Sequence, residues 1–226
     1  MGRIARVVAP GRPHHVTQRG NRRQKTFFDD EDYRAYVELM REWCGRHAVR
    51  VWAWCLMPNH VHLIVVPPSE ESLCRAVGEA HRRYTRRVNF RKGWRGHLWQ
   101  GRFASFVMDE PYLLAATRYI ERNPVKAGRV ARAEDWPWSS AAAHVDARRR
   151  DALAETAWLR ERTAGWVCRW REYLAERDEA KVAAALRTHE HTGRPLGDRP
   201  FVARIGALLG RNLMPGKRGR PRRAKK

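Results

Sequence analysis

The run His60-Val61-His62 carries the most chemistry per residue in this chain. Alternate residues of a β-strand point the same way, so two imidazoles at this spacing project from one face and can hold a metal ion together. The strand reading rests on the neighbours. Val49 to Leu56 is β-branched and aromatic, Met57-Pro58-Asn59 is turn-like, and Val61 to Val66 resumes the β pattern, which together predict a hairpin. Ile64 and Val66 follow the histidines on their face, and Val61, Leu63 and Val65 supply the other. An isolated His-x-His is usually an ordinary polar pair on a half-exposed strand, so the motif gains force only from partners elsewhere. Tyr119 and Asn123 lie four residues apart, on one face of a predicted helix and about a turn along its axis. A helical tyrosine is more often a core residue with a satisfied hydroxyl, which is the reading given to Tyr112.

The elements that must position these residues follow from periodicity. His14 to Gln18 reads as a first strand, followed by the basic loop Arg19-Gly20-Asn21-Arg22-Arg23. Asp29 to Asp32 open a helix whose apolar stripe is Tyr33, Tyr36, Val37, Met40 and Cys44. After the hairpin, Ser69-Glu70-Glu71 caps a second helix with the stripe Leu73, Val77, Ala80, Tyr84 and Val88. Arg102 to Met108 reads as a fourth strand, and a helix opening at Pro111 ends before Pro124. The order β-α-β-β-α-β predicts an α+β fold, the ferredoxin-like split βαβ sandwich, an antiparallel sheet with helices on one face. A helical extension is expected after it, with patterns over about residues 150 to 187 and 200 to 210. The expected domains are 1–145, a helical extension 146–212 and a flexible basic tail 213–226.

Lys and Arg number 46 against 24 Asp and Glu, a net charge of +22. Such an excess self-repels unless a polyanion neutralises it, which points to nucleic acid. Arginine dominates over lysine, favouring bidentate phosphate contacts over a membrane surface. The four cysteines show no CxxC spacing, so neither a zinc knuckle nor a disulfide scaffold is expected. With no secretory signal read ahead of them and no stretch long enough to cross a bilayer, a cytoplasmic protein without a membrane partner is expected.

Pro58-Asn59-His60-Val61-His62, the Tyr119 helix and Arg122-Asn123-Pro124-Val125-Lys126-Ala127-Gly128 resemble the REP-associated tyrosine transposases of the single-tyrosine HUH superfamily. The likeness extends to His15-Val16-Thr17-Gln18-Arg19-Gly20-Asn21, Trp99-Gln100-Gly101-Arg102-Phe103 and Trp136-Pro137-Trp138-Ser139-Ser140, closely over about residues 10 to 145. Thr192 to Gly197 and the Lys217 to Arg223 tail resemble the C-terminal part of longer members. The resemblance implies nicking and joining of single-stranded or hairpin DNA through a covalent 5′-phosphotyrosine. Tyr119 is then the nucleophile, His60 and His62 are ligands of a divalent ion, and Asn123 is the third, its amide oxygen suiting Mg²⁺ or Mn²⁺. Related transposases include dimers that share the tyrosine in trans, so a homodimer is one expectation and cis or trans use of Tyr119 is left open.

Two arginine groups suit a DNA backbone: Arg19, Arg22 and Arg23 in the first loop, and Arg82, Arg83, Arg86 and Arg87 on the second helix. Trp94, in a Gly-rich loop with Arg95 and His97, suits stacking on an unpaired base, whereas Trp99 fits core packing equally well. Arg218 and Arg220 belong to an Arg-Gly-Arg-Pro run like that of minor-groove AT-hook peptides, read as non-specific DNA affinity. The competing readings are a non-catalytic binder of structured nucleic acid derived from such a transposase, and a phosphodiesterase that hydrolyses through metal-bound water.

Overall fold

A computed structural model describes residues 4–165, 167, 169–176 and 180–214. The chain runs β1 (His14–Arg19), α1 (Asp30–Arg46), β2 (Arg50–Met57), β3 (His60–Val66), α2 (Ser72–Lys92), β4 (Ala104–Val107) and α3 (Glu110–Glu121). There follow α4 (Asn123–Lys126), α5 (Ala141–Val145), α6 (Thr156–Thr163), α7 (Trp170–Ala175), α8 (Ala180–Thr192) and α9 (Arg199–Leu208). The sheet order is β2-β3-β1-β4 with every neighbouring pair antiparallel, which is the split βαβ arrangement expected of the element order. Helix starts obey the side-chain signals: Asp29 accepts from Asp32 N ahead of α1, and Asp109 accepts from Tyr112 N ahead of α3.

On one sheet face, Val16, Val61, Leu63 and Val65 pack under Tyr33, Tyr36 and Met40 of α1 and Leu73, Val77, Tyr84 and Val88 of α2. The expectation of helices on one face describes this layer alone. The other face is covered too, because it also carries large apolar side chains that water cannot be left to solvate. Ile64, Val66, Trp52, Phe106 and Met108 pack there against Leu113, Ala116 and Ile120 of α3, and against Leu159, Trp170, Leu174 and Leu186 of α6, α7 and α8. A register shift between Val51 and Ala53 places both Trp52 and Ala53 on this side, where Trp52 stacks on Trp158 with ring centroids 3.9 Å apart. The extension thus shares a core with the sheet. Its expected long helical run is divided among the short α6, α7 and α8.

Two further boundaries differ from expectation. β4 is confined to Ala104–Val107, since Arg102 and Phe103 lie in the loop that brings Trp99 into the first core. α3 stops at Glu121, and Asn123 opens the short α4, with Arg122 at ψ −3° between them. Pro124 cannot donate a backbone N–H, and its ring disfavours helical continuation through the residue before it. No helix among the described residues is long and apolar enough to cross a membrane.

Candidate active site

His60 and His62 stand on the β3 face that α3 covers, their ring centroids 5.0 Å apart. Each ring has one nitrogen engaged at Nδ1. Asn59 uses its Nδ2 to donate to Arg23 O at 3.1 Å, so its Oδ1 accepts from His60 Nδ1 at 2.6 Å. His60 therefore carries its proton on Nδ1 and keeps the Nε2 lone pair. His62 Nδ1 lies 3.0 Å from His15 Nε2. Burial holds His60 down to about 4, and burial with the nearby His60, His15, Arg19 and Lys126 drives His62 well below the ordinary imidazole range. Both are neutral at physiological pH, as ligands must be.

Tyr119 reaches this pair from α3. Its ring meets His62 edge to face at 6.1 Å, and Lys126 Nζ sits 4.0 Å from the Tyr119 ring centroid. Although α3 ends between them, Asn123 still folds back on Tyr119: its Nδ2 donates to Tyr119 O at 3.1 Å and to Ile120 O at 3.4 Å. That use of the amide nitrogen leaves Oδ1 as the donor atom for a hard cation. Among the described residues no cluster of three or more His, Cys, Asp or Glu forms a metal-holding group. His60 and His62 are the two imidazoles on this face that could hold a divalent ion, with the Asn123 amide oxygen as the expected third donor.

Sequence reasoning missed three neighbours. His15 is buried against the site, and it pairs with Ile64 across the β1–β3 ladder while Thr17 pairs with His62. Strand alternation could have found it, because His15 and Thr17 share the face of the histidine pair. Thr17 Oγ1 donates to Glu190 Oε1 at 2.6 Å, which docks α8 beside the site. Only the tertiary fold brings residue 190 there. Lys126, quoted in the sequence as part of a motif, gains its importance from the Tyr119 ring.

The basic residues separate into different places. Arg19 pairs with His60 across the ladder, and its charge depresses both site histidines. Arg22 and Arg23 are exposed in the adjoining turn, where both adopt left-handed backbone at φ 52° and 60°. Such residues cost about 1 kcal/mol each and persist only when the surroundings demand the shape. Gly20 belongs to the same turn and could not be larger, since a Cβ there would lie 2.3 Å from Gln24 O. Arg82, Arg83, Arg86 and Arg87 lie on α2, in the helical layer on the opposite side of the sheet from the histidines. Arg82 and Arg83 contact Glu79 at 2.6 and 2.9 Å and hold its carboxyl down to about 2, and Arg87 pairs with Glu31. Trp94 is 42% exposed and meets Phe28 edge to face, while Trp99 is buried in the core. Arg218 and Arg220 lie outside the described residues. A cleft absent from the expectations lies beside α1, where Arg34, Arg41, Arg149 and Arg150, with Glu38 and Asp151 among them, surround Trp138.

On this ferredoxin-like sheet a two-histidine strand thus faces a helix-borne tyrosine. Residues 12–123 match the family described as Transposase IS200 like. The chain is similar to a Haemophilus influenzae protein whose name assigns it to the REP-associated tyrosine transposases, 28% identical over 111 residues, covering 44% of this chain and 63% of that protein. It is similar also to the REP-associated tyrosine transposase of Escherichia coli, 26% identical over 89 residues, covering 39% of this chain and 52% of the relative. The matches therefore span less than two thirds of either relative's length. A solved REP-associated tyrosine transposase bound to a REP hairpin shares the fold, with TM-score 0.56 and 23% identity over 70% of this chain and 96% of that one.

Proposed function

We propose that this protein is a DNA endonuclease and strand transferase of the single-tyrosine HUH type, acting on single-stranded or hairpin DNA through a 5′-phosphotyrosine at Tyr119. The observation that carries the reading is the meeting of Tyr119 with His62 at 6.1 Å, beside His60 on the same face. Likeness to REP-associated tyrosine transposases, one of them solved with a REP hairpin bound, supports palindromic repeat DNA as the substrate class.

His60, His62 and Asn123 would hold Mg²⁺ or Mn²⁺, which when bound neutralises phosphate oxygens and so admits an anionic nucleophile. The phenol oxygen of Tyr119 attacks phosphorus. One O–P bond forms to the ring, the P–O3′ bond breaks, the phenol loses its proton and the departing 3′ oxygen takes one up. The tyrosyl ester keeps the phosphodiester bond count, so a 3′-OH can reverse the step and join strands without an external energy source. Arg19 and Lys126 add positive charge where the phosphate must sit. Tyr119 and its histidines come together within one chain, which supports cis use of the tyrosine.

The test incubates a labelled hairpin oligonucleotide bearing a single-stranded flank with the protein and Mn²⁺. A denaturation-resistant protein–DNA adduct is expected, lost in Tyr119→Phe and in His60→Ala/His62→Ala. Hairpin binding in EDTA should survive Tyr119→Phe, since that ring is only partly buried and Phe keeps the ring that meets His62 and Lys126. An adduct of unchanged yield in Tyr119→Phe would remove Tyr119 from the role. Binding without any adduct in the wild type would leave a non-catalytic hairpin binder.

A further inference from the structure

We propose that His15 is a positioning residue for the cation site: it holds His62 in the arrangement with hydrogen on Nδ1, so that Nε2 is the nitrogen offered to the metal. The inference rests on the reading of His60 and His62 as ligands.

His15 is 1% exposed and His62 4%, and their rings stack with centroids 5.2 Å apart and planes at 19°. The other neighbour of the His15 ring is the edge of Phe106 at 5.2 Å. In an environment of Phe106 and Ile64 an apolar side chain would pack as well as an imidazole, and an imidazole must find polar partners there. His15 finds one. Its Nε2 lies 3.0 Å from His62 Nδ1, while its Nδ1 is buried with no partner. The polarity of this side chain is therefore directed at His62 alone.

Two arrangements satisfy the shared bond. If His15 Nε2 donates, His62 Nδ1 accepts, and the His62 proton must sit on Nε2, which cannot then ligate. If His62 Nδ1 donates, His15 Nε2 accepts and His62 Nε2 keeps its lone pair. Cation binding selects the second, in which His15 Nε2 accepts the buried N–H of His62 and His15 carries its own proton on the unpartnered Nδ1. His60 obtains the same service from Asn59 Oδ1. Each ligand thus has its own orienting acceptor, one from the hairpin turn and one from the adjacent strand.

The experiment measures Mn²⁺ binding to the DNA-free protein by titration calorimetry, for the wild type, His15→Leu, His15→Gln and His62→Ala. Removal of an orienting partner typically weakens metal affinity by about 10- to 100-fold. That loss is expected in His15→Leu, with hairpin affinity in EDTA unchanged as the measure of fold. His15→Gln, whose amide oxygen can accept from His62 Nδ1, should recover most of it. Nitrogen-15 spectra of the wild type with Mg²⁺ should place the His62 proton on Nδ1. Wild-type affinity in His15→Leu, a His15→Gln as weak as a folded His15→Leu, or a His62 proton on Nε2 would each overturn the proposal. Should His15→Leu not fold, the glutamine variant and the spectra decide. A wild type that binds no Mn²⁺ would overturn the metal reading as well, whereas Mn²⁺ binding that depends on His62 but not His15 would overturn this inference alone.

Discussion

Lowering the pH should unfold this protein through its buried imidazoles, over a window set by how far burial depresses them. Burial pushes His14 down to about 4, and His15 and His81 to about 3, from 6.5. Each is wired as a neutral ring. His14 takes Ala9 N–H on Nε2 and gives Nδ1–H to Arg12 O, and His81 Nε2 meets the Tyr36 hydroxyl at 2.8 Å. The folded pKa of each is below the unfolded one, so between the two values the unfolded chain binds more protons and acid favours it. Stability is full above about pH 6.5 and is lost as pH falls toward 4. At about pH 5 each imidazole withdraws about 2 kcal/mol, and the three together about 6 kcal/mol, at 1.4 kcal/mol per pH unit. His62, depressed in the same direction, adds to this. A domain's whole stability is about 5–15 kcal/mol, so most of the margin is at stake. Urea unfolding followed by circular dichroism, at constant high ionic strength to screen the +22 charge, should show a midpoint that is flat from about pH 8 to 7 and drops steeply by about pH 5. His81→Leu should flatten that dependence by about 1.4 kcal/mol per pH unit while costing stability at high pH. A midpoint unmoved between about pH 7 and 5 would refute the claim that these rings are held neutral.

Glu121 follows Tyr119 by two residues and is fully buried, its Oε1 accepting from Ser140 Oγ at 2.5 Å and meeting His144 Nδ1 at 2.6 Å. Glu121→Ala strands both partners and should cost about 3–5 kcal/mol in chemical unfolding, with adduct yield at Tyr119 falling alongside. An unaltered unfolding curve would count against the cluster as an anchor of α3. For DNA affinity, Arg82→Ser/Arg83→Ser should matter less than Arg149→Ser/Arg150→Ser, because Glu79 already compensates the first pair. Binding measured against salt should lose about one unit of slope per phosphate contact removed, and equal slopes for the two variants would refute the distinction.

The sandwich was legible because its signals are local. Strand alternation at His60 to Val66 and the stripes from Tyr33 to Cys44 and Leu73 to Val88 each report one element's buried face, and these residues are buried as their spacing demands. The short β4 and the break at Arg122 were less legible, since both depend on which neighbour a backbone group finds. The second helical layer was least legible. Its helices are short and weakly amphipathic, and nothing in their spacing says that Leu159, Leu174 and Leu186 close over Ile64 and Phe106. His15 stood in plain view on a predicted strand, but a single histidine carries no signal until its partner across the ladder is known.

That second layer bears on the chemistry, because a pair of ligands on an open strand is a surface and becomes a site only when something holds the nucleophile over it. Tyr119 is flanked along the chain by two arginines that reach into the extension. Arg118 pairs with Glu176 at 2.5 Å, and the buried Arg122 donates to Leu174 O at 2.8 Å and to Glu176 O. Both grips fall on the end of α7, and Arg122 is the very residue at which α3 gives way to α4. The break lets Asn123 turn its amide nitrogen back onto Tyr119 O, and the arginine contacts tie the residue at the break to the extension. Thr17, opposite His62, is likewise tied to Glu190 of α8. The segment matched by the family, residues 12–123, therefore supplies every candidate ligand and the candidate nucleophile. Outside it, Leu174, Glu176 and Glu190 hold the elements that carry them, and loosening those contacts should scatter the tyrosine without touching a single donor atom.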